Sequence, residues 1–326
     1  MKDRFTFVYT ADLHGNRMQY TKALDCAAEL KRTTEAGLDA VIIGGDIAPK
    51  EGNEKDKAHW HLNHETRNPE AQRRFYEEFM IPVLGNYTSE TRIAVYVMMG
   101  NDDFRINMGV LERASSQGAF KLLHERVHTL PNGMSIVGES FTDLTPFNCK
   151  DWEKHDTTDP KETRKSQKNT IVGYTSNNDV FNKAVPEGRY FRVDYSAISR
   201  EDSLENHLFN VIRPLSDPGN TIYVIHPPPF GTAMSMMKGG IDVGSSAVRK
   251  FLEEVGGRLG LFAHIHEFFE ITREYQDIVG KTIVAAPGND PFLHPSKNYT
   301  NYSPTVSVIS GQIKGDQTTL HRVQIT

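Results

Sequence analysis

Seven residues of this chain have side chains and spacings that suit a metal centre. Asp12 and His14 stand two apart, as do His264 and His266; between them come Asp46, Asn101 and His226. Asp-x-His offers a hard oxygen and a borderline nitrogen to one cation. Each piece also has a plainer reading. A strand-end Asp often caps a helix, Asp46 after two glycines suits a turn, and Asn101 after Gly100 suits a left-handed one. His226 could simply pack on its prolines, and a His-x-His pair is often solvated. Those readings would have to hold independently at five strand ends in one sheet, whereas metal binding accounts for all of them together. Seven ligands are too many for one tetrahedral zinc. They suit two cations roughly 3.5–4 Å apart with one carboxylate between them. Mixed nitrogen and oxygen donors without thiolate favour manganese, iron, zinc or nickel over magnesium or copper(I).

The elements that position these residues follow from the apolar pattern. Thr6–Thr10 is an apolar, β-branched and aromatic run, read as a buried strand ending at Asp12. Leu24, Ala27, Ala28 and Leu30 recur at helical spacing, so a helix is expected from Met18 to about Ala36, stopped by Gly37. Leu38–Ile43 is a second strand, ending at Asp46, and strand–helix–strand at this spacing is a βαβ unit. A helix is expected from Pro69 to about Leu84, then a strand over 92–99 ending at Asn101 and a helix over 108–117. Short strands are expected near 121–128 and 134–139, and a helix near 206–214. Thr221–Ile225 forms a strand that its three following prolines terminate. A helix over 245–255 precedes the strand 259–263, which ends at His264. Three tail strands, 282–286, 305–309 and 320–325, are expected to close a second sheet, with Gly311 and Gly315-Asp316 as turn residues.

The 326 residues carry a net charge of −5, 38% apolar and 24% charged residues, ordinary for a globular protein. The negative balance argues against a generic nucleic-acid binder. The two cysteines, Cys26 in a helix and Cys149 in a polar loop, make neither a disulfide framework nor a zinc motif and fit a cytoplasmic, reducing setting. No apolar run is long enough for a membrane helix. Without a repeat or a clean linker, 1–326 is read as one domain with polar insertions near 49–70 and 142–170. The second insertion is too polar to bury much surface, which predicts a solvated excursion or lid. Its Lys150, Lys154, Lys161, Arg164, Lys165 and Lys168 are candidates to cover an anionic substrate.

The ordered set Asp12-Leu-His14, Gly45-Asp46, Gly100-Asn101, His226 and His264-Ile-His266 resembles the calcineurin-like metallophosphoesterase superfamily over residues 5 to about 290. The stretches beginning His226-Pro-Pro-Pro and Val243-Gly-Ser-Ser, and the Asn101-Asp102-Asp103 third motif, resemble a prokaryotic branch. Pro287-Gly288-Asn289 is similar to the turn that follows the family's last motif. The resemblance implies an α/β fold, a four-layer α/β/β/α sandwich of two mixed sheets flanked by helices. It implies that Asp12, His14, Asp46 and His266 hold one divalent ion and that Asp46, Asn101, His226 and His264 hold the other. Asn101, Asp102 and Asp103 are then the catalytic segment, and Asn101 and His226 the substrate contacts.

The function so implied is dimetal-dependent hydrolysis of a small phosphodiester or nucleotide by a metal-bridging hydroxide. A phosphomonoesterase, or a non-catalytic scaffold of the same fold, is the alternative. Neither a membrane nor nucleic acid is an expected partner. The family's usual His after Gly-Asn is here Asp102, and a carboxylate beside two cations is a poor proton donor at neutral pH. His59, His61, His64 and His294 are the candidates to replace it. If none does so, aryl phosphate esters are cleaved far faster than alkyl esters. A series of leaving groups of graded pKa measures this, and a flat dependence would show that another residue supplies the proton.

Overall fold

A computed structural model describes residues 2–49, 69–147, 149–159, 161, 171–176, 191–290 and 303–326. The main elements are β1 (Arg4–Thr10), α1 (Arg17–Thr33), β2 (Ala40–Gly44), α2 (Pro69–Phe75), α3 (Ile81–Thr91), β3 (Ala94–Met98), α4 (Met108–Ser116), β4 (Lys121–Leu122), β5 (Val127–Thr129) and β6 (Ser135–Glu139). After these come α5 (Leu204–His207), β7 (Thr221–Ile225), α6 (Ser246–Glu254), β8 (Leu259–Leu261), α7 (Phe268–Thr272), β9 (Gln276–Val279), β10 (Thr282–Ala285), β11 (Val306–Lys314) and β12 (Gln317–Ile325).

Two six-stranded sheets result, in the orders β12-β11-β1-β2-β3-β4 and β9-β10-β8-β7-β6-β5. Both have a parallel centre; the second has antiparallel strands at both edges, and the first only on its β11–β12 side, β4 pairing parallel to β3. The strands alternate faces. Phe5, Phe7, Tyr9, Ile42, Tyr96 and Met98 of the first sheet pack against Ile136, Ile222, Val224, Leu259 and Leu261 of the second. Their neighbours Val8, Val41, Val95, Val137 and Tyr223 face outward to the helices. Burial on both faces is why these strands read as unbroken apolar runs. Tyr20, Leu24 and Ala27 of α1 belong to the outer core, as do Val248, Phe251 and Leu252 of α6. The layers are therefore helix, sheet, sheet and helix.

The expected arrangement differs in five respects. The metal-capable strand ends lie in two facing sheets rather than one. Of the three tail strands, only β10 joins the second sheet; β11 and β12 form a hairpin that extends the first sheet alongside β1. Gly311 is not a turn residue. It sits in β11 opposite Phe7, where a Cβ would lie 2.2 Å from the ring. The helix α1 ends at Thr33, three residues early: Thr34 turns to an extended conformation, φ −94° and ψ 137°, and its amide and hydroxyl both donate to the Leu30 carbonyl. The helix after Pro69 runs on to Thr91: a π-helical turn at Tyr76–Met80 precedes α3, leaving Pro82 in the first turn of α3, where a missing N–H costs least.

Within the polar insertion 142–170, expected to be solvated, the described residues 142–147 and 149–159 are largely packed. Trp152 is fully buried, and so is the Lys150–Glu153 ion pair, in which the ammonium also reaches the Thr145 carbonyl at 3.0 Å. Asp151 accepts from the Arg105 amide and from Thr175 and Ser176. Lys154 pairs with Asp202. Lys150 is thus committed inside the protein, half-buried Lys154 is engaged by Asp202, and Cys149 is buried rather than in a solvated loop. Composition alone cannot show this, because each polar group is buried with a partner. Arg164, Lys165 and Lys168 lie outside the described residues. No helix among the described residues is long and apolar enough to cross a membrane.

On the outer face of the second sheet, His207 of α5 lies 2.8 Å from fully buried Glu139 and 3.2 Å from Glu125. Burial opposes charge on His207, but the two carboxylates outweigh it and raise its pKa from 6.5 to about 9. The folded value lies above the unfolded one, so this contribution to stability is full below pH 6.5 and is lost as pH rises through about 9. Denaturant midpoints across that interval are expected to fall more steeply for the wild type than for His207→Gln. Parallel slopes would contradict the assignment.

Candidate metal centre

The five strand-end loops meet at one end of the sandwich. Backbone pairing between β1 and β2 continues past the strands: Asp12 N–H donates to Gly45 O (3.1 Å), His14 N–H to Asp46 O (2.8 Å) and Gly15 N–H to Ile47 O (3.0 Å). The second sheet is tied in from the other side. Tyr9 Oη donates to Phe262 O (2.7 Å), His226 Nδ1 lies 3.1 Å from Gly44 O, and the His264 amide reaches the Asp12 carboxylate at 3.1 Å.

Asp12, His14, Asp46 and His264 all have positive φ, between 41° and 73°. Asp and His tolerate this region better than branched residues, and it turns each loop sharply back toward the site. The glycines are equally constrained. A Cβ on Gly100 would lie 2.4 Å from Asp46 Oδ1 and 2.5 Å from His226 Cε1, and one on Gly45 would lie 2.5 Å from His226 Nδ1. Ala263 is not among the residues of positive φ, so its methyl is accommodated.

All seven predicted positions come together, in two groups that share one carboxylate. Asp12, His14, Asp46 and His266 bring one donor atom each within 4.8 Å of one another, as do Asp46, His226 and His264. Asn101 Oδ1 joins the second group, 3.0 Å from His226 Nε2 and 2.8 Å from His264 Nδ1. Asp46 Oδ2 lies 3.5 Å from His14 Nε2 and 3.6 Å from His226 Nε2. The Gly44 carbonyl can only accept, so His226 carries its proton on Nδ1 and turns the Nε2 lone pair toward Asn101 Oδ1 and Asp46 Oδ2. Lone pairs aimed at one another require a proton or a cation between them. In the protein alone a proton does this: burial disfavours the charged ring, but Asp46 and Asp12 overcome it and raise His226 to about 9. The donor set is therefore one that fits divalent cations.

Asp103, expected in the catalytic segment, is placed otherwise. Its carboxylate is fully buried and accepts from the amides of Ile47 (3.0 Å), Ala48 (2.8 Å) and Gly100 (2.8 Å), and from Tyr76 Oη (3.3 Å). It clamps the Asp46 loop to the Asn101 loop. Burial and the Asp46 charge push its pKa up to about 7 against the pull of those amides. Asp102 stays beside the centre: its amide donates to Asp46 Oδ1 (2.8 Å), and its carbonyl accepts from Gln72 Nε2 (2.8 Å). His59, His61, His64 and His294 lie outside the described residues.

Other supporting residues had no obvious signal in the sequence. Gln72 is buried on the apolar face of α2 and also accepts from the Phe104 amide. Asn289 joins three segments, donating to Ala11 O and Gln19 Oε1 and accepting from the Ser307 amide. The one hint was position: Gln72 interrupts the apolar face that carries Phe75 and Phe79, and Asn289 follows Pro287-Gly288.

The family model for calcineurin-like phosphoesterases matches residues 5–268. The chain belongs to the calcineurin-like phosphoesterase family. The family is one of metal-dependent phosphoester hydrolases, and the two Asp/His groups of this chain could hold metal ions. One solved structure superposes with a TM-score of 0.57 at 14% identity, covering 99% of this chain and 100% of its own, and so shares the metallophosphoesterase fold. TT1561 of Thermus thermophilus gives 0.48 at 14% identity, with 97% and 98% covered. GAP50, the anchor in the inner membrane complex of Plasmodium, gives 0.47 at 10%, with 99% and 85% covered. No curated protein matches the sequence.

Asp103→Asn places an amide N–H₂ against backbone donors. It is expected to weaken divalent metal binding about 10- to 100-fold, as a change behind the ligands does. Chelator competition measures this. Unchanged metal affinity with lost turnover would instead make Asp103 a catalytic group.

Proposed function

We propose that this phosphoesterase uses two divalent ions to hydrolyse a small phosphorylated substrate, a phosphodiester or nucleotide in preference to a monoester. The observation that carries the reading is Asp46, one carboxylate common to both donor groups. On this reading Asp12, His14, Asp46 and His266 hold one ion, and Asp46, Asn101, His226 and His264 the other. The nitrogen-rich, thiolate-free set points to manganese, iron, zinc or nickel. Ions held there would lower the pKa of a water molecule and offset charge at phosphorus.

The chain's own residues have separate tasks. Asn101 and His226, at the meeting of the two sheets, face the phosphate. Asp102 fixes the Asp46 carboxylate through its amide. Asp103 holds two of the loops in register. The diester preference rests on the third motif. Asp102 in place of a His leaves no strong acid there for an alkoxide leaving group, and the Asp-Arg extension that would suit a protein phosphatase is absent after Asp46. The negative net charge favours a small substrate over nucleic acid. The two free thiols, Cys26 and Cys149, fit a cytoplasmic location.

Chelator-stripped protein is expected to regain hydrolysis of bis-p-nitrophenyl phosphate, and less of p-nitrophenyl phosphate, when one of these metals is restored. Asp46→Asn and His226→Ala are each expected to lower that rate by at least about 100-fold. Full activity in both variants, or in stripped protein without metal, would overturn the proposal. A monoester rate above the diester rate would make it a phosphomonoesterase.

A further inference from the structure

His266 belongs to the metal-capable group, and it also lines a cavity of about 260 Å³. The opposite wall is built by α7, the Gly288 turn and β12, and it carries two guanidinium groups, Arg273 and Arg322. Arg322 is held in place. It lies 3.5 Å from the Phe269 ring centroid and donates from Nε to Pro287 O (2.6 Å) and from Nη2 to Gly288 O (3.2 Å) and Ser307 Oγ (2.7 Å). Nη1 makes no hydrogen bond to any described residue. Arg273 caps α7 in a left-handed conformation, φ 61°, and its side chain has no ion pair or hydrogen bond among the described residues. Glu270 and Asp290 line the same cavity, yet neither pairs with either arginine.

Two guanidinium groups thus line one small cavity, and neither forms an ion pair with the Glu270 and Asp290 that also line it. Burial lowers the Arg322 pKa, and the like charge of Arg273 lowers it further, to about 10. An anion would relieve that repulsion, and a fixed guanidinium with a spare N–H edge is suited to a phosphate oxygen.

We infer that this cavity is a second anion subsite, which takes a further phosphate group of the substrate while the phosphoester to be cleaved lies at the metal centre. The inference rests on the phosphoesterase reading and narrows it to substrates bearing a second phosphate. Arg273 and Arg322 are specificity residues. They select for that second group by charge and by its distance from the reacting phosphorus.

The test is calorimetric binding to manganese-loaded protein of alkanediol bisphosphates with about two to six methylene groups, beside alkyl monophosphates of matching length. One spacer length is expected to bind about tenfold tighter than its monophosphate. Arg273→Gln is expected to reduce that advantage to within about twofold and leave monophosphate binding unchanged; Arg322→Gln is expected to do the same. Arg322 also braces the Gly288 turn, so Arg273→Gln alone decides the matter if Arg322→Gln misfolds. No bisphosphate advantage at any length, or an advantage that survives Arg273→Gln, would overturn the inference. Because the readout is binding, it decides the subsite even if neither nitrophenyl ester is hydrolysed.

Discussion

The buried carboxylate of Asp46 is the constraint around which the structure is organised. It is 1% exposed, and two histidine nitrogens on one side and a backbone amide on the other converge on it. A buried negative charge persists only with positive charge close by. Here the compensating groups come from loops that the chain separates by more than two hundred residues. Bringing them together requires two sheets in face-to-face contact with the ends of their parallel strands aligned. The Phe5–Phe7–Tyr9 face, packed on Ile222, Val224 and Leu261, supplies that contact. The Tyr9 hydroxyl, bonded to Phe262 O, fixes the alignment at the site itself.

The cost appears as backbone strain. Four of the seven candidate ligands have positive φ, which for a non-glycine residue costs roughly 1 kcal/mol each. Strain of this kind persists where the surroundings over-determine it. The hydrogen bonds that run on between the Asp12 and Asp46 loops, and the Asp103 carboxylate beneath them, are those surroundings. Gly100 is a glycine for a different reason, because a side chain there would occupy the space of His226 and Asp46; Gly45, with φ 103°, is held by both constraints. The motif residues that carry no ligand atom are therefore as constrained as those that do.

Much of this was legible in the sequence. Strand ends are marked by an apolar run that stops at a polar residue, and the seven candidate ligand positions all follow such runs. What was not legible was pairing across the fold. Lys150 and Glu153 look like surface residues until each is seen to bury the other. Asp103 looks like a reacting group until the amides it accepts from are seen. The tail strands alternate as strands should, but alternation does not say which sheet they join. The antiparallel register of β11 on β1, with Gly311 opposite Phe7, does. Arg322 lay within a run that reads simply as an edge strand, with nothing local to set it apart.

Metal stoichiometry tests the central claim most directly. Chelator-stripped protein would be dialysed to equilibrium against manganese and the bound ions counted, for the wild type and for Asp46→Asn. A carboxylate shared by two donor groups predicts about two ions per chain in the wild type and weakening of both sites by the single substitution. One ion or none in the wild type, or a substitution that leaves one of two sites untouched, would contradict the account.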